Sequence, residues 1–390
     1  MLEVRVSASP ARRELHVAGA DLPPVVYEFA GQDVAVPANC DFAAIATVFP
    51  AMRLGRALHI RGAVSATLLR NLEEFQEAWA AWRGGAYRPV RITCDEELPD
   101  HPPATAEGVF AFSGGVDATF ALMRHVTGDA GRRTIRPRMA ALVHGFDIPL
   151  ENDAAFRAAE ERAREMLSFA RVPLVSVRTN WRSVLCGDWE SEFGAGLASC
   201  LHQFSGIATH GVFGADEDYA NLSLPWGSNP VTNQFLSGGA LALWTEGGGF
   251  TRTRRVAFLA RHPDIAARLR VCWEGPMTGR NCGRCEKCIR TKLNFMVSGF
   301  APMCFDGPPS DAEVLSLKPR NAVQCAYLRE ILAEAALRKV DAPWVGLLSR
   351  AVRAYERGPS VPQRMAGRVR REAGRARRAA GKVLRAMHLR

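Results

Sequence analysis

The sequence predicts an α/β protein built on a doubly wound parallel sheet, with a mixed α+β unit before it and a four-cysteine segment, a helical extension and a basic tail after it. Three observations carry that prediction. Strand-like and helical hydrophobic periods alternate between about residues 109 and 213, and such alternation packs only as parallel strands with helices over both faces. Four cysteines crowd into residues 272–288, which in a reducing compartment marks a metal segment rather than bridges. Between Arg350 and Arg390 there are 13 Lys+Arg against 2 Asp+Glu.

Composition bounds the function classes. The chain has 390 residues, 47% hydrophobic and 23% charged, with mean hydropathy near zero, as in soluble globular proteins of two or three small units. No run of about 18 uncharged apolar residues occurs, so no membrane span is expected. The start, MLEVRVSASPARRELHV, alternates like a strand and lacks the apolar core of a secretory signal, so a cytoplasmic protein is expected. The net charge of +10 resides in the tail, whose net +11 leaves 37 basic and 38 acidic residues in positions 1–349. Only five lysines occur, Lys287 being the first. A Walker A site is thereby excluded, since the only Gly-Lys pair, Gly381-Lys382, is followed by Val383.

Residues 1–104 read as the mixed unit: strands at Leu2–Val6, Val25–Phe29, Ala57–Ile60 and Val90–Thr93, and one helix at Ser65–Trp82. Leu68, Leu69, Leu72, Phe75, Trp79 and Trp82 recur there at helical spacing, an aromatic stripe that belongs to a core. After the linker ending in HPPAT, residues 105–262 hold the alternating elements. Strands are expected at Val109–Phe112, Met139–His144, Leu174–Arg178 and Ile207–Phe213, and helices at Asp117–Val126, Asp153–Ala170 and Glu190–Phe204. Ligands of such sheets bind at the carboxyl ends of the strands, so the loops at 113–116, 144–149, 179–188 and 214–234 are expected to share one mouth. Residues 263–310 carry the cysteines, 311–357 a helical extension with a helical region from about Asn321 to Tyr355, and 358–390 the tail.

The most informative stretch is Phe110-Ala-Phe-Ser113-Gly114-Gly115-Val116-Asp117-Ala118-Thr119. An apolar strand ends in a hydroxyl and two glycines, and a helix begins at once. Glycines let the backbone approach a ligand with no Cβ in the way, and the free amides of the helix start face outward with the positive end of the dipole behind them. The result is an anion site suited to phosphate. Asp117 can cap the helix or hold Mg²⁺. A plain strand-to-helix turn is the competing reading.

Cys272, Cys282, Cys285 and Cys288 are spaced C-x9-C-x2-C-x2-C. Each x2 gap folds into a knuckle that turns two sulfurs inward, and four thiolates satisfy a tetrahedral Zn²⁺ with no open position, a structural site. An iron–sulfur cluster also suits this spacing and stands as the alternative. Cys40, Cys94, Cys186, Cys200, Cys304 and Cys325 read as isolated reduced thiols.

At Ser113-Gly-Gly-Val-Asp117 the chain resembles the PP-loop (ATP-pyrophosphatase, HUP-like) family, whose loop reads SGGxDS; Ala118 departs from it. With the cysteine pattern some 150 residues on, and Gly214-Ala-Asp-Glu-Asp-Tyr219 followed by Pro225-Trp-Gly-Ser-Asn-Pro230, it resembles within that family the 7-cyano-7-deazaguanine synthases of the queuosine pathway, over about residues 108–300. The resemblance implies a PP-loop fold in which Ser113, Gly114, Gly115, Val116 and Asp117 hold the phosphates of ATP, with Thr119 standing in for the missing serine. Val143 and His144 at the end of the second strand would lie by the adenine; a loop histidine bonded to backbone is the other reading of His144. It further implies an ATP-dependent ligase that adenylates a small carboxylic acid, releases pyrophosphate, and lets ammonia or another nucleophile displace AMP.

With no lysine before position 287, Arg252 in the run Thr251-Arg-Thr-Arg-Arg255 is the candidate cation for the departing pyrophosphate that the resemblance implies, which backbone amides and Mg²⁺ would also stabilise; a solvated basic strand is the other reading. Leu2 leaves no N-terminal cysteine for a glutaminase, so ammonia is expected free or from a partner protein. The tail, with Met365, Val369, Ala373, Ala376, Val383 and Met387 spaced helically among arginines, reads as an amphipathic helix for RNA or an anionic surface, or as a solvated helix. Two further functions remain open at this point: an RNA-modifying PP-loop enzyme (tRNA thiolation or amidation) and a non-catalytic adenine-nucleotide-binding protein.

Overall fold

The computed structural model describes residues 1–99, 106–272, 274–276 and 278–358. These form two compact units, one from Met1 to Pro309 and one beginning at Ser310. The elements of the first are β1 (Leu2–Ser9), β2 (Arg12–Ala18), β3 (Val25–Ala30), α1 (Asp41–Leu54), β4 (Leu58–Ser65), α2 (Ala66–Arg83), β5 (Ile92–Leu98), β6 (Glu107–Ala111), α3 (Val116–Val126), β7 (Arg136–His144), α4 (Asp153–Ala170), β8 (Leu174–Thr179), α5 (Trp181–Val184), α6 (Trp189–His202), β9 (His210–Gly214), β10 (Ala242–Glu246), α7 (Arg252–Ala260), α8 (Pro263–Ala266) and α9 (Glu286–Val297). All ten strands join in one mostly parallel sheet, ordered β10-β9-β6-β7-β8-β3-β2-β1-β4-β5.

The five strands from β10 to β8 run parallel. Along the chain they are fifth, fourth, first, second and third, so the winding reverses between β6 and β9. A doubly wound sheet opens a ligand crevice at that reversal, outside the carboxyl ends of the strands. β3 pairs antiparallel with β8, so β1–β5 extend the same sheet as the alternating elements.

Both faces of the parallel part are covered, and the strand period shows it. Val109 and Ala111 of β6 join one buried cluster with residues of α1, α2 and α6, while Phe110 and Phe112 join a second with residues of α3, α4, α7 and α9. Successive side chains point to opposite faces, so a strand buried on both sides reads as a continuous apolar run.

Elements of this unit not expected from sequence include α1, β2, β10 and α7. α1 is buried from Asp41 to Met52, and a helix apolar all round has no amphipathic period. Its Pro50 also removes the amide that would bond the Ala46 carbonyl. The Trp181 indole N–H supplies that bond instead, at 3.0 Å, so the helix continues through the proline. β2 is masked by Arg13, fully buried and donating to the carbonyls of Val34 and Ala35. β10 is a short edge strand, and α7 occupies the run that sequence left open to a basic strand.

The second unit contains α10 (Asp311–Ser316), α11 (Ala322–Leu337) and α12 (Pro343–Glu356), in keeping with the expected helical extension. α12 buries Trp344, Leu347, Leu348 and Val352, while Arg350, Arg353, Glu356 and Arg357 line an open surface cleft. The basic helix expected at Arg364–Met387 lies outside the described residues. No helix among the described residues is long and apolar enough to cross a membrane.

Candidate active site and metal centre

β6 ends at the strand reversal, and Ser113-Gly114-Gly115 turns from it into α3. Gly114 has φ +72°, a conformation that side chains with a Cβ rarely adopt. The Gly115 amide donates to Ser113 Oγ at 3.3 Å. The amides of Val116, Asp117 and Ala118 open α3 and have no acceptor among the described residues, as the first turn of any helix requires. β9 crowds this turn: a Cβ on Gly214 would stand 2.5 Å from the Asp117 carbonyl oxygen.

Sequence offered Asp117 as a helix cap or a Mg²⁺ ligand, and the geometry corrects both. Asp117 Oδ2 accepts from Arg252 Nη1 at 2.6 Å, and Oδ1 from Arg255 Nη1 at 2.7 Å. Gly115 occupies the cap position, with no side-chain bond. With one guanidinium on each oxygen, the carboxylate does not fit as a direct Mg²⁺ ligand. Burial pushes its pKa up, but Arg252, Arg255 and Lys287 outweigh that and hold it well below the usual carboxylate range.

Arg255 was missed because it shares its run with two other arginines, Arg252 and Arg254, and nothing distinguishes it from them. Only 1% exposed at its side chain, it donates to the carbonyls of Phe250, Ala215, Glu217 and Gly247 as well as to Asp117. It therefore staples the β9 and β10 loops to the phosphate loop. Arg252 is brought to the same carboxylate from the other side of the α7 turn.

The other loop candidates divide. Val116 is core. Thr119 is also buried, its hydroxyl donating to Met166 Sδ at 3.6 Å; it points into the core and does not replace the serine that Ala118 lacks. Val143 lies in β7 opposite Val177 of β8, half-buried. His144 stacks flat on Phe156, 4.1 Å between centroids, with Nε2 3.1 Å from the Pro149 carbonyl. Its ring is thus held by the loop, which is the backbone-bonded reading, and burial lowers its pKa.

Two further groups face the crevice. Asp216, just past β9, accepts from Trp226 Nε1 at 2.8 Å in a cleft with Ser228, Asn229 and Thr245. Burial, and then the Asp117 charge, push its pKa up to about 6 against the pull of the Trp226 bond, Lys287 and Arg255. Lys287 lies in the electrostatic reach of Asp117, Asp147, Arg252 and Arg290, and burial drives its pKa down. Its signal in the sequence was its rarity: it is the first lysine, set between two cysteines. Beyond Asp216 a line of rings runs Trp226, Phe193, Trp189, Phe146, with centroids 5.3–5.6 Å apart, and the Arg182 guanidinium stands 4.0 Å from the Trp189 ring. These rings bring the loops at 144–149, 179–188 and 214–234 to one mouth.

The four cysteines converge. Sγ atoms of Cys272, Cys282, Cys285 and Cys288 all lie within 4.8 Å of one another, with Cys272–Cys285 and Cys282–Cys288 both at 3.9 Å. The Cys285 amide donates to Cys282 Sγ at 3.3 Å, which offsets thiolate charge. Asn281 braces the arm: its Oδ1 accepts from the amides of Val271 and Cys272, and its Nδ2 donates to the carbonyls of Leu269 and Cys304. Such a set can bind one metal ion. Cys288→Ser should weaken metal retention at least about tenfold, read by elemental analysis after dialysis; full retention of one ion per chain would remove the four-thiolate assignment. No family model, curated protein or solved structure matches the chain.

Proposed function

We propose that the protein is an ATP-dependent ligase that forms AMP and pyrophosphate, adenylating a small carboxylic acid for attack by ammonia or another nitrogen nucleophile. The observation that carries this is a glycine phosphate loop at the point of strand reversal, with Arg252, Arg255 and Lys287 gathered on Asp117. The residues of that loop are also those that resemble the PP-loop family.

The reaction needs no covalent nucleophile from the protein. A substrate carboxylate oxygen attacks the α-phosphorus, the bond to the β-phosphoryl oxygen breaks, and pyrophosphate leaves onto the amides of residues 116–118. The nitrogen nucleophile then attacks the acyl carbon, AMP departs with the bonding pair, and a proton passes from nitrogen to Asp216. Fixed donors and positioning supply the acceleration. The Arg182 guanidinium and the ring-lined mouth suit a carboxylate on an apolar body.

The metal of the cysteine site we assign as zinc, in a structural role. A tetrahedron with Zn–S bonds of about 2.3 Å has edges of roughly 3.8 Å, close to the 3.9 Å pairs. An iron–sulfur cluster places several irons and sulfides between the thiolates and needs them further apart.

Incubating the protein with ATP, Mg²⁺, ammonia and a panel of small acids should release AMP and pyrophosphate in equal amounts. Release of ADP and phosphate would overturn the reading. A strict requirement for added tRNA would move it to the RNA-modifying alternative.

A further inference from the structure

We propose that the metal segment is the clamp of the phosphate loop, with Arg270 as its positioning residue, so that occupancy of the cysteine site sets the order of residues 112–118. The segment entering the first thiolate ligand crosses directly over the loop. The Arg270 amide donates to the Gly114 carbonyl at 2.8 Å, and Arg270 Nε donates to the Ser113 carbonyl at 3.2 Å. A Cβ built on Gly114 would be 3.7 Å from Arg270 Cβ, and one on Gly115 would be 3.6 Å from the Arg270 carbonyl oxygen. The loop is therefore covered on that side by one residue, two positions before Cys272.

What holds Arg270 in place is the metal knuckle. Asn281, the residue before Cys282, takes the amides of Val271 and Cys272 and the carbonyl of Leu269, the three residues around Arg270. The far side of the knuckle returns to the same place: Lys287, between Cys285 and Cys288, enters the electrostatic neighbourhood of Asp117, and Asn294 of α9 donates to Thr253 of α7 at 2.8 Å, next to Arg252. Thus the two arms that close on one ion carry contacts to both ends of the loop. Without the ion, the sulfurs take up protons and lose the bonds that draw the two arms together, so the arms separate and Arg270 leaves the glycines. A loop whose amides must all face one phosphate loses affinity when it is not pre-ordered.

The nucleotide arm of the test rests on the ligase reading; the exchange arm does not. Hydrogen exchange is followed in the full-length chain with zinc bound, after removal of zinc by a chelator, and in the zinc-loaded variant Asn281→Ala, which keeps every thiolate but frees the arm. The amides of Gly115 and Arg270, bonded to Ser113 Oγ and to the Gly114 carbonyl, should exchange at least about tenfold faster in the stripped chain and in N281A, while those of β6 and β7 keep their protection. Calorimetry with ATP and Mg²⁺ should show at least about a tenfold loss of affinity in the same two samples. Unchanged exchange at Gly115 and Arg270 in N281A with its metal retained overturns the clamp, whatever the stripped chain does. No ATP uptake by the zinc-loaded wild type, with faster exchange in N281A, sinks the ligase reading and leaves the clamp standing.

Discussion

Replacing Asp117 with Asn should lower the unfolding free energy by about 2–4 kcal/mol and, if the proposed ligase reaction holds, abolish nucleotide-dependent pyrophosphate release. The stability loss follows from what remains. Arg252 and Arg255 have side chains only 6% and 1% exposed, and removing one partner of a buried pair costs about 3–5 kcal/mol because the surviving charge is left without compensation. The Asp117 side chain is 19% exposed, and an Asn carbonyl still accepts from one guanidinium, so the lower part of that range is expected.

The pH dependence separates this from a general packing defect. The folded pKa of Asp117 lies below its ordinary 3.8, so the group contributes stability that is fully present above about pH 4 and is lost as pH falls through the folded value. Wild type should therefore lose stability more steeply than D117N on acidification below about pH 4, and the two denaturation curves should converge there. Equal midpoints for the two proteins at pH 7 would show that the carboxylate is not what holds Arg252 and Arg255.

The sequence made the parallel core readable because its strands are short apolar runs and its helices have one polar face. α4 runs from Asp153 to Ala170, as its period requires. The strand-to-helix glycine turn and the cysteine knuckle were also readable, since both are local: a few consecutive residues determine the geometry. What stayed hidden shares one physical cause. Arg13, Arg252 and Arg255 occupy inward-facing positions where the hydrophobic pattern wants Leu or Val, and each finds partners far away in sequence. Arg255 and Asp117 are 138 residues apart. A pattern reader takes such a run for solvated surface, which is how α7 passed as a basic strand and β2 was lost. Thr119 shows the converse error: adjacency to the glycines said nothing of direction, and one helical step turns its hydroxyl from the crevice to Met166. The joining of β3 to β8 was equally out of reach, because nothing in either strand names its partner.

Asp216→Asn should slow transfer to the nitrogen nucleophile by about 10²–10⁴-fold, the usual contribution of a general base, while leaving acid-dependent exchange of pyrophosphate into ATP within a few fold of wild type. That split is expected because Asp216 lies beyond β9, on the Trp226 side of the crevice, whereas in the proposed reaction pyrophosphate leaves onto the glycine loop. With its pKa raised from 3.8 to about 6, Asp216 is protonated and idle in acid. Wild-type transfer should rise about tenfold per unit up to pH 6 and then level, and D216N should lack this limb. Stability moves the other way. The folded state binds this proton more tightly than the unfolded chain does, so the carboxylate costs stability progressively as pH rises from about 4 through 6. A shift of about two units corresponds to roughly 3 kcal/mol, and partial exposure reduces it to about 1–2 kcal/mol. D216N should therefore be more stable than wild type at pH 7 by that amount, with the Trp226 indole still donating to the amide oxygen. A carboxylate whose burial weakens the fold while raising its proton affinity is a pattern that clusters at reaction centres. If D216N melts at or below the wild-type temperature at pH 7, or keeps the acid limb, the carboxylate is an anchor for Trp226 and the base must be sought elsewhere in the crevice.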